Sequence, residues 1–293
     1  MYDIESLYSA TSVDDAIRAL AEDPESIVVA GGTDVLVKIR EGKFAGAHLV
    51  SIHELHDELD GVSLGADGTV EIGPITWFHH VTTSKVIQET VPVLGEACDT
   101  PGGPQLRVSG TIGGNVCNAA TSADSASTLY AYGALLDVKG PEGARTIPIE
   151  EWYAGPGRST KKRDEILVKI RIPKSHYEGF TGYYFKYGKR RALEIATMGC
   201  CCLVKLSADK KTVEDIRLAF GVAGPTPMRA LSTEEALRGM PVIEAVEKIG
   251  ELAAGDTNPR DSWRASKEFR LQLIKEMSKR SFAEAARRGG AEL

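Results

Sequence analysis

A chain of 293 residues with 42% hydrophobic side chains can bury a core of its own and is long enough for two domains, or for one domain with a lobe. A net charge of -6 and a pI near 5.6 argue against the basic stripe of a nucleic-acid surface. No run reaches the ~18 consecutive apolar residues of a membrane span, and MYDIESLYSA lacks the basic and apolar regions of a signal peptide; a soluble, cytoplasmic protein that binds neither membrane nor nucleic acid is expected.

Ser12 followed by VDDAIRALAED predicts a capped amphipathic helix, with Val13, Ala16, Ile17 and Leu20 on one face and acids in its first turn. Ser26-Ile27-Val28-Val29-Ala30 then reads as a short buried strand that runs into Gly31-Gly32-Thr33-Asp34 and the amphipathic VLVKIREGK. This is strand, glycine turn, helix start, but neither G-x-G-x-x-G nor G-x-x-x-x-G-K-[ST], so Rossmann and P-loop spacing both fail. With the strand HLVSI at 48–52, residues 1–55 are expected to form a β-α-β-like lobe around a parallel pair.

From Val62 hairpins take over, with Asp67-Gly68 as a tight turn between alternating runs. ITWFHHVTTSKVIQE and VPVLGEACDT read as helical. His79 and His80 are adjacent, share no helix face and lack the i,i+4 spacing of a metal pair, which leaves surface or packing roles. The segment QLRVSGTIGGNVCNAATSAD at 105–124 contains almost nothing that could build a core. Its Gly110, Gly113 and Gly114 permit unusual backbone angles and close approach to bare N–H donors. Thr111, Asn115, Asn118, Thr121 and Ser122 add short polar groups, and Asp124 opens the apolar run STLYAYGALL as a candidate N-cap. One such loop fits a surface turn. Two, each followed by a helix, could hold the ends of one extended phosphate-bearing cofactor.

ALLDVKG and ARTIPIEE form a further hairpin around Pro141-Glu142-Gly143, and DEILVKIRIPK at 164–174 an alternating strand of the same sheet, closing a second lobe at 56–175. Residues 176–293 are expected to form a third unit, a three-stranded antiparallel sheet packed on a helical bundle, so that the fold class is α+β. Its helices are STEEALRG, with cap chemistry from Ser232, Thr233 and Glu235, then VIEAVEKIGELAAG and SKEFRLQLIKEMSKRSFAEAARR. The five cysteines include no C-x-x-C pair, and Cys200, Cys201 and Cys202 on one strand point to alternate faces; neither a metal nor an iron–sulfur cluster is expected in this chain.

AGGTD at 30–34 and TIGGN at 111–115, with a closing Asp124, resemble the two FAD-binding loops of the flavoprotein (medium) subunits of molybdenum hydroxylases, a family that includes xanthine dehydrogenase, carbon monoxide dehydrogenase and hydroxybenzoyl-CoA reductase. The resemblance covers the whole chain. TSADSA at 121–126, LAFGVAGPTP at 218–227 and SWRASKEFRLQLI at 262–274 are most similar to the bacterial xanthine dehydrogenase branch, and the four-cysteine insertion of the hydroxybenzoyl-CoA reductase branch is missing. The resemblance implies a two-lobed FAD-binding domain of the PCMH type, followed by the C-terminal domain typical of these flavoproteins. It places FAD contacts at Val28, Val29, Ala30, Gly31, Gly32, Thr33, Asp34 and Val35, and at Gly110, Thr111, Gly114, Asn115 and Asp124. Gly31, Gly32, Gly113 and Gly114 suit close backbone approach; an acid repels pyrophosphate, so Asp34 and Asp124 fit cofactor hydroxyls or a helix cap. Leu167 falls where the family packs an apolar residue on the cofactor, and Lys186, the one catalytic candidate, where a lysine meets the pyrimidine end of the flavin and favours its anionic reduced form.

Residues 188–194 correspond to a mobile loop near the flavin, here with Lys189, Arg190, Arg191 and Leu193, the last at a position where relatives carry an acid; Pro101 stands where animal relatives stack an aromatic on the flavin. The implied assembly adds a large molybdopterin-binding subunit and a small subunit with two [2Fe–2S] clusters, arranged as a dimer of heterotrimers, with electrons leaving through FAD to NAD+. Two other readings stay open: a stand-alone FAD-dependent reductase of the same fold, such as UDP-N-acetylenolpyruvoylglucosamine reductase, and a nucleotide-binding structural subunit without redox function.

Overall fold

The computed structural model describes residues 2–293. β1 (Ile4–Ser9), β2 (Ile27–Val29) and β3 (Ala47–Ser51) make a sheet in the order β1-β3-β2 with both pairs parallel. β2 and β3 are the expected pair. β1 is an additional outer strand, and all its residues are exposed, so IESLYS has no buried face to give it a period-2 signal. Ser12 caps the helix Val13–Glu22 by accepting from the Asp15 amide, and that helix buries Val13, Ala16, Ile17 and Leu20, the face its spacing predicts.

The second sheet contains β4 (Val62–Leu64), β5 (Val70–Ile72), β6 (Leu135–Gly140) and β7 (Gly143–Pro148), while β8 (Tyr153–Gly155) and β9 (Arg158–Ser159) pair only with each other. β10 (Ile166–Ile172) comes last in sequence yet occupies the centre, order β4-β5-β10-β6-β7, every pair antiparallel. At the Asp67-Gly68 turn Gly68 takes φ +81 and Asp67 accepts from the Thr69 amide at 2.9 Å. The helices Phe78–Thr83, Lys85–Thr90 and Pro92–Cys98 cover this sheet's core together with Ile112, Leu129 and Trp152.

β11 (Thr181–Tyr187), β12 (Met198–Leu206) and β13 (Val213–Gly221) are the three expected strands of an antiparallel sheet, to which the two-residue β14 (Met228–Arg229) adds a fourth. Cys201 belongs to the core shared with the second lobe, while Cys200 and Cys202 face the helices Val242–Asp256 and Lys267–Arg288. The expected cap of the helix Leu231–Leu237 is not made. Ala230 stands at the cap position, and Thr233 instead donates its amide and hydroxyl to Asp256 at 2.8 Å each. Glu235, the expected carboxylate, pairs with Arg238 at 2.8 Å, while its neighbour Glu234 turns inward to accept from the Leu218 amide and the Arg229 guanidinium, the charged partner a buried carboxylate needs. Arg217 spans the junction between the second lobe and the C-terminal sheet, donating to the carbonyls of Ala131 and His176. Among the described residues no helix is long and apolar enough to cross a membrane.

Candidate functional site

The first glycine turn leaves β2 and enters the helix Val35–Arg40, with Gly32 at φ +70, an angle that favours glycine. Val29 is buried, and Val28 and Val29 pair with β3, so these two residues fix where the turn starts. The amides of Thr33, Asp34 and Val35 make no hydrogen bond to any other described residue. Asp34 stands at the cap position without capping; its carboxylate pairs with Lys38 at 2.6 Å.

The second loop comes directly against the first. A Cβ on Gly31 would lie 1.8 Å from the Ser109 carbonyl oxygen, so only glycine lets the two backbones meet. Gly31 thus serves the contact between loops. Gly113 also turns out to be a packing residue: its amide donates to Pro74 at 2.8 Å, and a Cβ there would strike that proline. Gly114 differs, since an added Cβ would meet only the Thr111 hydroxyl, which caps the helix Ile112–Cys117 by accepting the Gly114 amide at 3.1 Å. Gly110 is buried and its carbonyl accepts from Phe78, while Asn115 accepts from Ser125 at 2.6 Å. A second tie joins the loops through Lys38, whose ammonium donates to the Asn118 amide oxygen at 2.7 Å. Three unpaired amides on the first loop, held against the second loop by the Gly31–Ser109 and Lys38–Asn118 contacts, form a surface that fits the phosphates of a dinucleotide.

Asp124 is not the cap of its helix. Ala123 holds that position, and Asp124 lies buried in the first turn of Asp124–Ala131, a helix buried along its whole length between the second lobe and the C-terminal sheet. Its carboxylate accepts from the Tyr184 hydroxyl at 2.8 Å and from the Lys186 ammonium at 2.9 Å, and the ammonium also donates to the Thr100 carbonyl at 3.0 Å. Tyr184 and Lys186 are two apart on β11 and therefore share a face. Lys186 is only 12% exposed at its side chain and Asp124 8%, so this is a buried ion pair. Burial pushes the Asp124 carboxyl above the usual carboxylate range, although Lys186 and Tyr184 pull the other way.

Leu167 is buried in the core of the second lobe, opposite Val138 on β6 and beside a bulge that precedes Lys169. Pro101 is buried, and residues 188–194 fold over its neighbours. Leu193, at φ +53, donates its amide to Gly102, and its side chain lies against Gly103. The run Lys189, Arg190, Arg191 is exposed, with Arg190 tied to Glu194 at 3.0 Å. Three contributors go beyond the residues read from sequence: Lys38, Thr100 and Tyr184. The i,i+4 spacing in DVLVK and the i,i+2 spacing in YFK carry signals for the first and third. Nothing local marks the Thr100 carbonyl.

Residues 2–175 match the family described as the FAD binding domain in molybdopterin dehydrogenase, and residues 183–285 the carbon monoxide dehydrogenase flavoprotein C-terminal domain. The chain is 40% identical to a xanthine dehydrogenase FAD-binding subunit of Escherichia coli across 100% of both chains. It is 27% identical to the glyceraldehyde dehydrogenase medium chain of Sulfolobus acidocaldarius, over 98% of this chain and 100% of that one. Among solved structures, a carbon monoxide dehydrogenase chain from Hydrogenophaga pseudoflava superposes with a TM-score of 0.91 at 27% identity, covering 99% of each chain.

Proposed function

We propose that this chain, which belongs to the family of FAD-binding subunits of molybdenum hydroxylases, passes electrons from a partner's iron–sulfur clusters through its FAD to NAD+. The observation that carries this reading is the meeting of two glycine loops, distant in sequence, beside the buried Asp124–Lys186 pair. FAD supplies the means to take electrons one at a time and release them as a hydride. The chain's own residues do the rest: the amides at 33–35 and the Gly114 turn receive the phosphates, and Asp124 with Thr100 holds the Lys186 ammonium at one position. That position lies at the junction with the C-terminal sheet, where the pyrimidine end of the flavin would meet it.

The partners in this reading are a molybdopterin-binding large subunit and a small subunit with two [2Fe–2S] clusters, in a dimer of heterotrimers in the cytoplasm; the full-length likeness to a xanthine dehydrogenase FAD-binding subunit supports it. NADH added anaerobically to the FAD-loaded chain is expected to bleach the flavin's visible band. A flavin that stays oxidised with NADH but is reduced by a low-potential dye would replace NAD+ by another acceptor. Co-purification with molybdopterin and iron–sulfur chains tests the assembly, and a chain that copurifies with neither overturns it.

A further inference from the structure

Lys38 projects from the helix that follows the first glycine turn and touches both loops at once: its ammonium is 2.6 Å from Asp34 and donates to Asn118, at the end of the helix Ile112–Cys117, at 2.7 Å. The Phe44 ring lies 5.7 Å from the same nitrogen. Asp34 raises a problem that this contact answers. Its carboxylate belongs to the same turn as the three unpaired amides of residues 33–35, so a diphosphate approaching that turn would meet negative charge. The contact of Gly31 with Ser109 closes the loops at one end, and Lys38 with Asn118 closes them at another.

We propose that Lys38 is a positioning residue for the cofactor's diphosphate: its ammonium cancels the Asp34 carboxylate and holds the two glycine loops at one spacing, so that the diphosphate meets amides and not an uncompensated acid. The proposal rests on FAD lying between these loops. The Asp34 oxygen that faces Lys38 is shielded from water, but the two side chains as wholes are 33% (Lys38) and 48% (Asp34) exposed, and an ion pair at such a surface adds little to folding. Its effect therefore belongs to the ligand and leaves the apoprotein's melting temperature nearly unchanged.

The test uses the full chain stripped of FAD, with FAD and ADP as probes, the second supplying a diphosphate without a flavin. Lys38→Met is expected to weaken both by about tenfold, the scale of one lost charge-assisted hydrogen bond. Asp34→Asn/Lys38→Met should bring both back to within about threefold of wild type, because the charge that needed cancelling has gone with its partner. A double variant as weak as the single one would show that the ammonium acts on the phosphate directly or through its tie to Asn118, and would overturn the neutralising role. Unchanged affinity in Lys38→Met overturns the proposal altogether. If FAD weakens and ADP does not, the diphosphate lies elsewhere and the premise fails with it. Should Lys38→Met not fold, Lys38→Gln keeps a donor for Asn118 without the charge, and the same outcomes decide.

Discussion

Lys186 and Asp124 hold each other in place, and this determines what a substitution at either one does. Lys186→Met keeps an apolar stem and removes the charge, but it also leaves Asp124 as a buried carboxylate with no charged partner and only the Tyr184 hydroxyl donating to it, a break that costs about 3–5 kcal/mol in comparable pairs. The variant should melt well below wild type, and Asp124→Asn/Lys186→Met should recover most of the loss; equal melting temperatures for the two variants would contradict this. The flavin potential should respond in a pH-dependent way. Burial already pushes the Asp124 carboxyl up, and without Lys186 it rises further. In acid the variant's Asp124 is protonated, the local charge stays balanced and the midpoint moves little. In base an uncompensated carboxylate beside the flavin would lower the midpoint, by ~30 mV for each 1.4 kcal/mol lost from the reduced form of a two-electron couple. Dye-linked titrations of wild type and variant at two pH values check it, and an offset that is the same at both would remove Asp124 from the account.

At the scale of elements, the glycines of the two loops differ in what an added side chain would meet. Gly31→Ala forces a Cβ into the Ser109 carbonyl and should cost about 1–3 kcal/mol of stability along with the flavin. Gly114→Val, with only the Thr111 hydroxyl to displace, should keep the far-UV circular dichroism of wild type and lose FAD; the reverse pattern would exchange the roles of the two glycines. The first lobe carries its own pH dependence. His48 on β3 contacts Asp23 and Glu5 of β1, so that its ring is raised above the ordinary 6.5, chiefly by Asp23, and Asp23 is held down to about 2, chiefly by His48. His48 thus stabilises fully below about pH 6.5 and less as pH rises through its raised value, while Asp23 stabilises above about pH 3.8 and less as pH falls towards 2. The gap in melting temperature between wild type and His48→Gln should be widest between about pH 4 and 6.5 and close in base; a gap independent of pH would refute the pairing. Legibility follows the same division. Ser12, the Asp67-Gly68 turn and the alternation across Cys200 to Cys202 were readable because capping, turn chemistry and strand period are local rules. β1 hid because it buries no face. Asp124 and Thr233 misled because a polar side chain beside a helix start looks like cap chemistry until the partner, distant in sequence, is known.

For the whole molecule, FAD should purify with the chain, bound without a covalent link, and iron should be absent; FMN after acid release, or stoichiometric iron, would contradict this. Binding should raise the melting temperature with ligand concentration, by about 2.7 kcal/mol of stability at a hundredfold excess over Kd. Arg217 reaches across to Ala131 and His176, and the helix Asp124–Ala131 is buried between both parts, so unfolding should be a single transition by calorimetry. Arg217→Ala should shift that transition downwards; a wild type that already unfolds in two steps would mean the parts are independent. The central place of β10 also bears on the order in which the molecule can be made. While the ribosome is still short of residue 166, the hairpins β4-β5 and β6-β7 have no strand between them, and each leaves an unpaired edge in solution. At ~5–20 residues per second that exposure lasts for seconds. The first glycine loop leaves β2 early, but the sheet of the second lobe closes only when β10 slides into its middle, and Lys186 emerges later still, so the nascent chain has no finished place for a flavin until nearly two-thirds of it has been synthesised.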